Sequence, residues 1–202
     1  MTIYDLKPAF QNLLRPLCRK LATAGYTANQ VTSAAMLLSI IVGLLFALNP
    51  TASWAALLIP VWLFLRMALN AIDGMLAREH NMQSDLGGIL NELGDVVSDT
   101  ALYLPFAVVP GIPAMLVVAV VLLSILTEMA GVVAVQIGAS RRYDGPMGKS
   151  DRAFVFGLLA LLLGIGLNPG WWSTAGLVVV AALAALTTLN RSAKALQERA
   201  AT

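Results

Sequence analysis

The sequence has 202 residues, a mean hydropathy of +0.79 and only 12% charged residues. This composition excludes an ordinary soluble domain and is typical of a polytopic membrane protein. The 13 basic and 11 acidic residues leave a formal net charge of +2, and we expect no nucleic-acid partner. The single cysteine, Cys18, excludes an intrachain disulfide, and we expect its thiol to be buried and to fill space.

Residues 3–24 predict an amphipathic helix at the membrane surface. Apolar side chains recur there every three or four residues, and basic and polar side chains fall between them: Ile3, Leu6, Phe10, Leu13, Leu14, Leu17 and Leu21 against Lys7, Gln11, Arg15 and Arg19. The pattern favours a helix that lies in the interface with its basic face toward anionic headgroups. Pro8 and Pro16 are expected to bend it. A cytosolic helix that packs on the rest of the protein is the alternative.

Six apolar segments follow, each a candidate for crossing the bilayer: 30–48, 53–78, 88–110, 112–139, 152–168 and 171–190. A helix needs about 20 apolar residues to span the hydrocarbon core. The three loops on one side of these segments carry no basic residue, so the positive-inside rule predicts that both termini are cytoplasmic. We therefore expect an all-α membrane protein in which six transmembrane helices are preceded by an N-terminal amphipathic interfacial helix. The predicted parts are a juxtamembrane segment 1–28, a six-helix domain 29–192 and a cytoplasmic tail 193–202.

Acidic and amide side chains recur at helical spacing where the second segment ends and the third begins. Asp73 lies three residues after Asn70, and Asp95 lies four residues after Asn91, so each pair shares one helix face. Ionisable groups are expensive at membrane depth, and a cluster of them indicates a functional site. Two such faces brought together would form an oxygen-rich pocket suited to a hard cation such as Mg²⁺.

The same stretch resembles the signature of the CDP-alcohol phosphotransferases (phosphatidyltransferases), D-x2-D-G-x2-A-R-x8-9-G-x3-D-x3-D. Six of its eight positions match here at the right spacing, in the run Asn70-x2-Asp73-Gly74-x2-Ala77-Arg78-x8-Gly87-x3-Asn91-x3-Asp95. The six-segment layout and the amphipathic N-terminal helix are also similar to the family. The runs Met1–Pro8 and Arg66–Gly74 further resemble a little-characterised enterobacterial branch in the bacterial inner (cytoplasmic) membrane.

The resemblance implies transfer of a phosphatidyl group from CDP-diacylglycerol to a hydroxyl acceptor, with release of CMP, in phospholipid biosynthesis. It implies that Mg²⁺ or Mn²⁺ is held at the four acidic positions, here Asp73 and Asp95 with Asn70 and Asn91, and that Asp95 also serves as the base. It further implies a nucleotide site formed by Gly74, Ala77, Arg78 and Gly87, with Asn29 and Thr32 as cytidine contacts. The alternative for Asn29 and Thr32 is that they are polar residues at the start of a helix whose N-cap is Thr27. The family also implies a homodimer.

The two asparagines are departures from the signature. Asn70 and Asn91 keep an oxygen ligand but each removes a negative charge. A second divalent ion would then meet uncompensated repulsion. We expect one tightly bound ion, with a second ion bound weakly or only together with the donor.

A basic loop lies between the fourth and fifth segments. The resemblance implies that its cations bind a phosphorylated acceptor such as a polyol phosphate: Arg141, Arg142, Lys149 and Arg152. Positive-inside topology alone would also explain them. Glu128 lies about three helical turns inside the fourth segment, where a carboxylate should be protonated or paired.

Two alternatives differ in chemistry. A prenyl-diphosphate transferase would also use Asn- and Asp-rich helices but would release pyrophosphate instead of CMP. A non-catalytic protein that binds a CDP-lipid would release neither. The expected partners are CDP-diacylglycerol, a small alcohol, the lipid bilayer and a second copy of the chain.

Overall fold

A computed structural model describes residues 3–201, with side chains from Ala9 onward, and this part of the chain is all-helical without a β-strand. Its helices are α1 (Ile3–Thr23), α2 (Ala28–Leu48), α3 (Ser53–Glu79), α4 (Asp85–Tyr103), α5 (Ala114–Gln136), α6 (Lys149–Gly164) and α7 (Trp171–Ala200), and a 3₁₀ helix (Leu104–Val108) follows α4. The prediction of an all-α protein is confirmed.

Each of the six predicted apolar segments coincides with a helix. Within residues 3–201, four helices are long and apolar enough to cross a membrane by length and composition: α2, α3, α5 and α7. The remaining two are shorter, since α4 has 19 residues and α6 has 16. The chain is therefore a membrane protein, and the count of six spans stays a prediction.

Helix α1 occupies the region of the predicted amphipathic helix. Leu13 and Leu17 are exposed on it, whereas Cys18 is fully buried. The predicted apolar face also includes Ile3 and Leu6, and the predicted basic face includes Lys7; the side chains of these three residues lie outside the described ones. Its placement in the interface stays a prediction, as do the domain boundaries; α7 continues unbroken through residue 193 to Ala200.

The chain divides into two compact units. The first contains the described residues up to Ile41 together with Val61–Ser98, and the second contains Val42–Pro60 and the residues from Asp99 onward. Helices α2, α3 and α4 each contribute to both units.

The first unit has a small apolar core around the thiol of Cys18. That side chain packs with residues of α2 and α3, namely Ala28, Val31, Ile72, Met75 and Leu76, so its expected space-filling role is confirmed. Helix α2 begins with the predicted cap. Gln30 donates its backbone N–H to Thr27 Oγ1 over 3.2 Å, and Thr27 donates its own N–H to the Gln30 side chain over 3.0 Å.

The second unit is held by aromatic packing and by glycines at close contacts. The rings of Tyr103 and Phe156 stack 4.1 Å apart, and Phe106 packs edge-on against Phe156. A Cβ at Gly43 would collide with the carbonyl of Ala101. Aromatic pairs of this kind add stability beyond the area that they bury.

Candidate active site

A cavity of about 360 Å³ lies in the first unit, between the start of α2, the end of α3 and the start of α4. Its walls include eight of the residues that the sequence singled out: Asn29, Thr32, Asp73, Gly74, Ala77, Arg78, Gly87 and Asn91. Met82, Gln83, Ser84, Gly88 and Ala28 complete the lining. The α3–α4 loop is short, which brings the two halves of the signature to one cavity.

The two signature glycines make room for polar side chains of the protein itself. A Cβ at Gly74 would come within 2.9 Å of a guanidinium nitrogen of Arg78. A Cβ at Gly87 would come within 2.8 Å of the side-chain oxygen of Asn29. Any larger residue would displace these groups, so the glycines let Arg78 and Asn29 lie close against the helix backbone.

Asp73 is the buried carboxylate of the cavity wall. It is 6% exposed, and its Oδ2 accepts a hydrogen bond of 2.9 Å from Thr32 Oγ1. Through that bond, the neighbouring helix α2 holds the carboxylate of Asp73 in place. Across residues 9–201 no carboxylate pairs with Arg78, whose exposed guanidinium lines the same cavity. The cavity thus offers the Asp73 carboxylate as a ligand for a cation and the Arg78 guanidinium as a partner for an anion.

Asp95 has a different environment. Its Oδ1 accepts hydrogen bonds from Arg66 Nη2 at 3.2 Å and from Asn70 Nδ2 at 3.3 Å. The same Arg66 nitrogen also donates to the Asp95 carbonyl at 3.2 Å. Asn70 and Asp95 are therefore brought together, but neither is among the residues that line the cavity.

Within the described residues, no group of three or more His, Cys, Asp or Glu side chains could hold a metal ion. This agrees with a signature in which two acids have become amides. Oxygen donors remain on Asp73 and Asn91 at the cavity wall, and a hard divalent ion prefers such ligands. The metal-binding, nucleotide-binding and catalytic roles stay predictions.

The sequence pattern placed Arg66 only within the run Arg66–Gly74 and did not identify it as part of this site. The side chain is 4% exposed, in the middle of α3. A signal was present, since Arg66 precedes Asn70 by four residues and therefore shares its helix face.

A second polar cluster lies in the second unit, around Glu128. Its carboxylate pairs with Arg152 at 2.8 Å, with Arg141 at 3.1 Å and with Arg191 at 3.2 Å. Arg152 is fully buried and also pairs with Asp99 at 3.3 Å. The expectation that Glu128 would be paired or protonated is met by pairing.

The basic loop itself is held by carboxylates. Arg142 pairs with Asp144 at 2.7 Å and with Glu198 at 2.6 Å. The hydrogen bond from Lys194, at 2.8 Å, is the largest cause that lowers the pKa of Asp144, and Arg142 lowers it further. Arg141, Arg142 and Arg152 were predicted to bind the acceptor and already have carboxylate partners, so an acceptor phosphate would have to compete with these carboxylates. Lys149 begins α6.

A family model and a curated relative cover most of the chain. The family model for CDP-alcohol phosphatidyltransferase matches residues 25–190. The chain is 49% identical over 193 residues to the inner membrane protein YnbA of Escherichia coli K12, covering 95% of this chain and 94% of that protein. This relative and the apolar helices together indicate a protein of the inner membrane.

Solved structures with the same fold include the phosphatidylinositol phosphate synthase PgsA1 of Mycobacterium tuberculosis. With CDP-DAG bound, it superposes with a TM-score of 0.74 at 19% identity, over 91% of this chain and 92% of that one. In complex with manganese and citrate, it gives 0.75 at 19% identity, over 90% and 88%. At this identity the likeness shows the fold.

Proposed function

We propose a donor, an acceptor class and residue roles for this chain, which belongs to the CDP-alcohol phosphatidyltransferase family and is a phosphotransferase of phospholipid biosynthesis. The reaction is transfer of a phosphatidyl group from CDP-diacylglycerol to a hydroxyl acceptor, with CMP as the leaving group. The observation that carries the proposal is the cavity that joins Asp73 and Arg78 with Asn29 and Thr32.

The roles follow from the chemistry of each side chain. Arg78 binds a phosphate of the donor, since its guanidinium faces the cavity without a carboxylate partner among residues 9–201. Thr32 orients Asp73 through their hydrogen bond. Asn29 and Thr32 contact the cytidine, while Gly74, Ala77 and Gly87 keep the nucleotide site open. A phosphatidylinositol phosphate synthase of the same fold has been solved with CDP-DAG bound, which supports the choice of donor.

The donor set of the cavity fits one divalent ion, Mg²⁺ or Mn²⁺, at Asp73 and Asn91, and a related fold has been solved with manganese. Such an ion, when bound, neutralises the diphosphate and helps to orient it. Asn70 and Asp95 complete the family's ligand positions. The presence of only two acids among the four positions supports one tight ion.

The reaction is a substitution at the lipid-side phosphorus. The acceptor oxygen forms a bond to that phosphorus, the bond to the bridging oxygen breaks, and CMP leaves with that oxygen. Asp95 takes the hydroxyl proton as general base. The protein holds donor and acceptor together, so that the attack becomes effectively intramolecular.

The acceptor is an alcohol whose identity the assay must determine. Arg141, Arg142, Lys149 and Arg152 are the candidate groups for a phosphorylated acceptor. A panel of glycerol phosphate, inositol phosphate, free polyols, amino alcohols and water separates this class from unphosphorylated acceptors.

The test is release of CMP from labelled CDP-diacylglycerol by the purified protein in lipid micelles with Mg²⁺. Asp73→Asn should reduce the rate at least a hundredfold, because it removes the only carboxylate that lines the described cavity. Asp85→Asn is the matched control, since this acid begins α4 but does not line the cavity, and it should retain the wild-type rate. Thr32→Val should weaken donor binding by roughly tenfold, the order of one hydrogen bond to a charged group, and Thr32→Ser should restore it.

Two outcomes would reject the proposal in favour of an alternative. Release of pyrophosphate from a prenyl diphosphate would identify a prenyltransferase. Binding of the donor without CMP release for any acceptor would identify a non-catalytic CDP-lipid-binding protein.

The same proposal includes a topology. Six spans, α1 in the cytoplasmic interface and both termini in the cytoplasm agree with the distribution of basic residues. The resemblance to the family adds a homodimer to the proposal. Reporter fusions after Ala52, Gly111 and Pro169 should report the periplasm, and a cytoplasmic signal from any of them would contradict the topology. Cross-linking in native membranes should yield a dimer; an unchanged monomer would refute the homodimer.

A further inference from the structure

Arg66 is a buried cation inside the signature region. It lies one helical turn before Asn70 on α3, and one of its guanidinium nitrogens is 3.2 Å from both the side-chain Oδ1 and the backbone carbonyl of Asp95. Asn70 donates to the same Oδ1 at 3.3 Å. The carboxylate proposed as the last ligand and base is thus bound by two donors of the protein.

These contacts change the charge of the site. In a signature with four acids, two divalent ions balance four negative charges. In this chain Asp73 and Asp95 supply only two, and Arg66 cancels one of them. A second dication next to Asp95 would meet a fixed positive charge in a buried setting, where screening is weak.

We infer that Arg66 takes the place of the second divalent ion, so that the motif holds a single ion at the Asp73 side of the cavity. This inference rests on the proposed function for the identity of the ligand positions. Arg66 acts through Asp95 and is a positioning residue. Its guanidinium supplies the positive charge that holds Asp95, and the amide of Asn70 supports the same oxygen.

The loss of two acids and the presence of Arg66 are linked by this reasoning. With carboxylates at positions 70 and 91, a second ion would gain two more negative ligands and would compete with the guanidinium for Asp95. With amides at positions 70 and 91, a second ion binds too weakly to compete with the Arg66 guanidinium for the Asp95 carboxylate. The Asn70 side chain is consistent with this arrangement, because it presents its N–H₂ group to Asp95 where a metal ligand would present oxygen.

The test counts bound Mn²⁺ by electron paramagnetic resonance during titration of the purified full-length protein. The wild type should bind one ion tightly. The variant Arg66→Met/Asn70→Asp/Asn91→Asp restores four acids without the cation and should bind two. The variant Asn70→Asp/Asn91→Asp keeps Arg66 and should bind its second ion at least tenfold more weakly than the triple variant does.

Two further variants separate this role from a merely structural one. Arg66→Lys in the Asn70→Asp/Asn91→Asp background keeps the charge and should still weaken the second ion. Arg15→Met in that background is the matched control, because Arg15 forms an exposed pair with Glu79 on α1 and α3; it should leave ion binding unchanged. Gel filtration is used to select folded preparations of each variant. The number of Mn²⁺ ions bound to the wild type is a test that needs no variant.

The outcomes distinguish this inference from the proposed function. Two tight ions in the wild type, or equal second-ion affinity with and without Arg66, would overturn the role of Arg66 while CMP release stands. No bound ion in the wild type, with or without CDP-diacylglycerol, would overturn both the inference and the metal requirement.

Discussion

Removal of the charge on Glu128 should strongly destabilise the second unit. Glu128→Gln keeps the size of the side chain and one oxygen but leaves three arginines without their shared anion: Arg141, Arg152 and Arg191. Arg152 and Arg191 are almost completely buried, so solvent cannot compensate them. We expect a folded variant with a lower melting temperature.

The structure sets the magnitude of this effect. Breaking a buried ion pair by removing one partner costs about 3–5 kcal/mol. The arginines retain other acceptors: Arg152 keeps Asp99 at 3.3 Å, and Arg191 keeps the Thr127 carbonyl at 2.6 Å. The loss should therefore fall near the lower end, about 3 kcal/mol, which corresponds to a fall of roughly 6–12 °C for a chain of this size.

The assay is thermal denaturation of the detergent-solubilised protein, followed by loss of the monodisperse peak. Glu79→Gln is the matched control, because its pair with Arg15 is exposed on both sides and should add no measurable stability. Glu128→Gln combined with Arg141→Met should recover part of the loss, since it removes one stranded cation. An unchanged melting temperature for Glu128→Gln would refute the reasoning, because it would mean that the buried arginines do not depend on this charge.

Two more predictions concern the loop that follows α5. Gly131→Ala should lower the melting temperature, because the new Cβ would collide with the guanidinium of Arg141. Gly176→Ala is the control, since its Cβ would meet no neighbouring atom within 4 Å, and it should leave the melting temperature unchanged or raise it slightly. Equal effects of the two substitutions would contradict the close contact at Gly131. Asp144→Asn should lower the melting temperature at neutral pH. The pair with Lys194 lowers the pKa of Asp144 below its ordinary value of 3.8, so the ionised carboxylate stabilises the folded protein at pH values above 3.8. The gap between wild type and variant should close as the pH falls through the lowered pKa, and a gap that closes well above 3.8 would contradict this account.

The part of the candidate cavity formed by α3 and α4 was predictable because its residues are close in sequence. Asp73 and Asn91 lie on two helix ends joined by a short loop, and helical spacing brings Gly74 and Arg78 to the same region. The hydrogen bond from Thr32 to Asp73 was harder to predict, since it joins residues 41 positions apart on separate helices. A resemblance to the family pointed to Thr32 as a nucleotide contact, but it did not predict this bond to the acid.

The partners of the buried charges could not be predicted in the same way. Glu128 and Arg152 are 24 residues apart, and Glu128 and Arg191 are 63 apart. Sequence periodicity describes one helix at a time and carries no information on which helices meet. The expectation that a carboxylate inside an apolar segment is protonated or paired is met by pairing for Glu128, but the identity of its partners required the packing of α5 with α6 and α7.

Exposure distinguishes two of the cations that were expected to bind an acceptor, Arg142 and Arg152. Arg152 has a side chain only 1% exposed and two carboxylate partners, so a phosphate that reached it would have to enter a closed network. Arg142 is 18% exposed, and its partners Asp144 and Glu198 are 23% and 36% exposed. Exchange of one anion for another costs least where solvent already reaches both groups, because little further desolvation is needed. If the acceptor carries a phosphate, we therefore expect Arg142 to be a more accessible contact than Arg152, which joins α6 to Asp99 of α4 and Glu128 of α5.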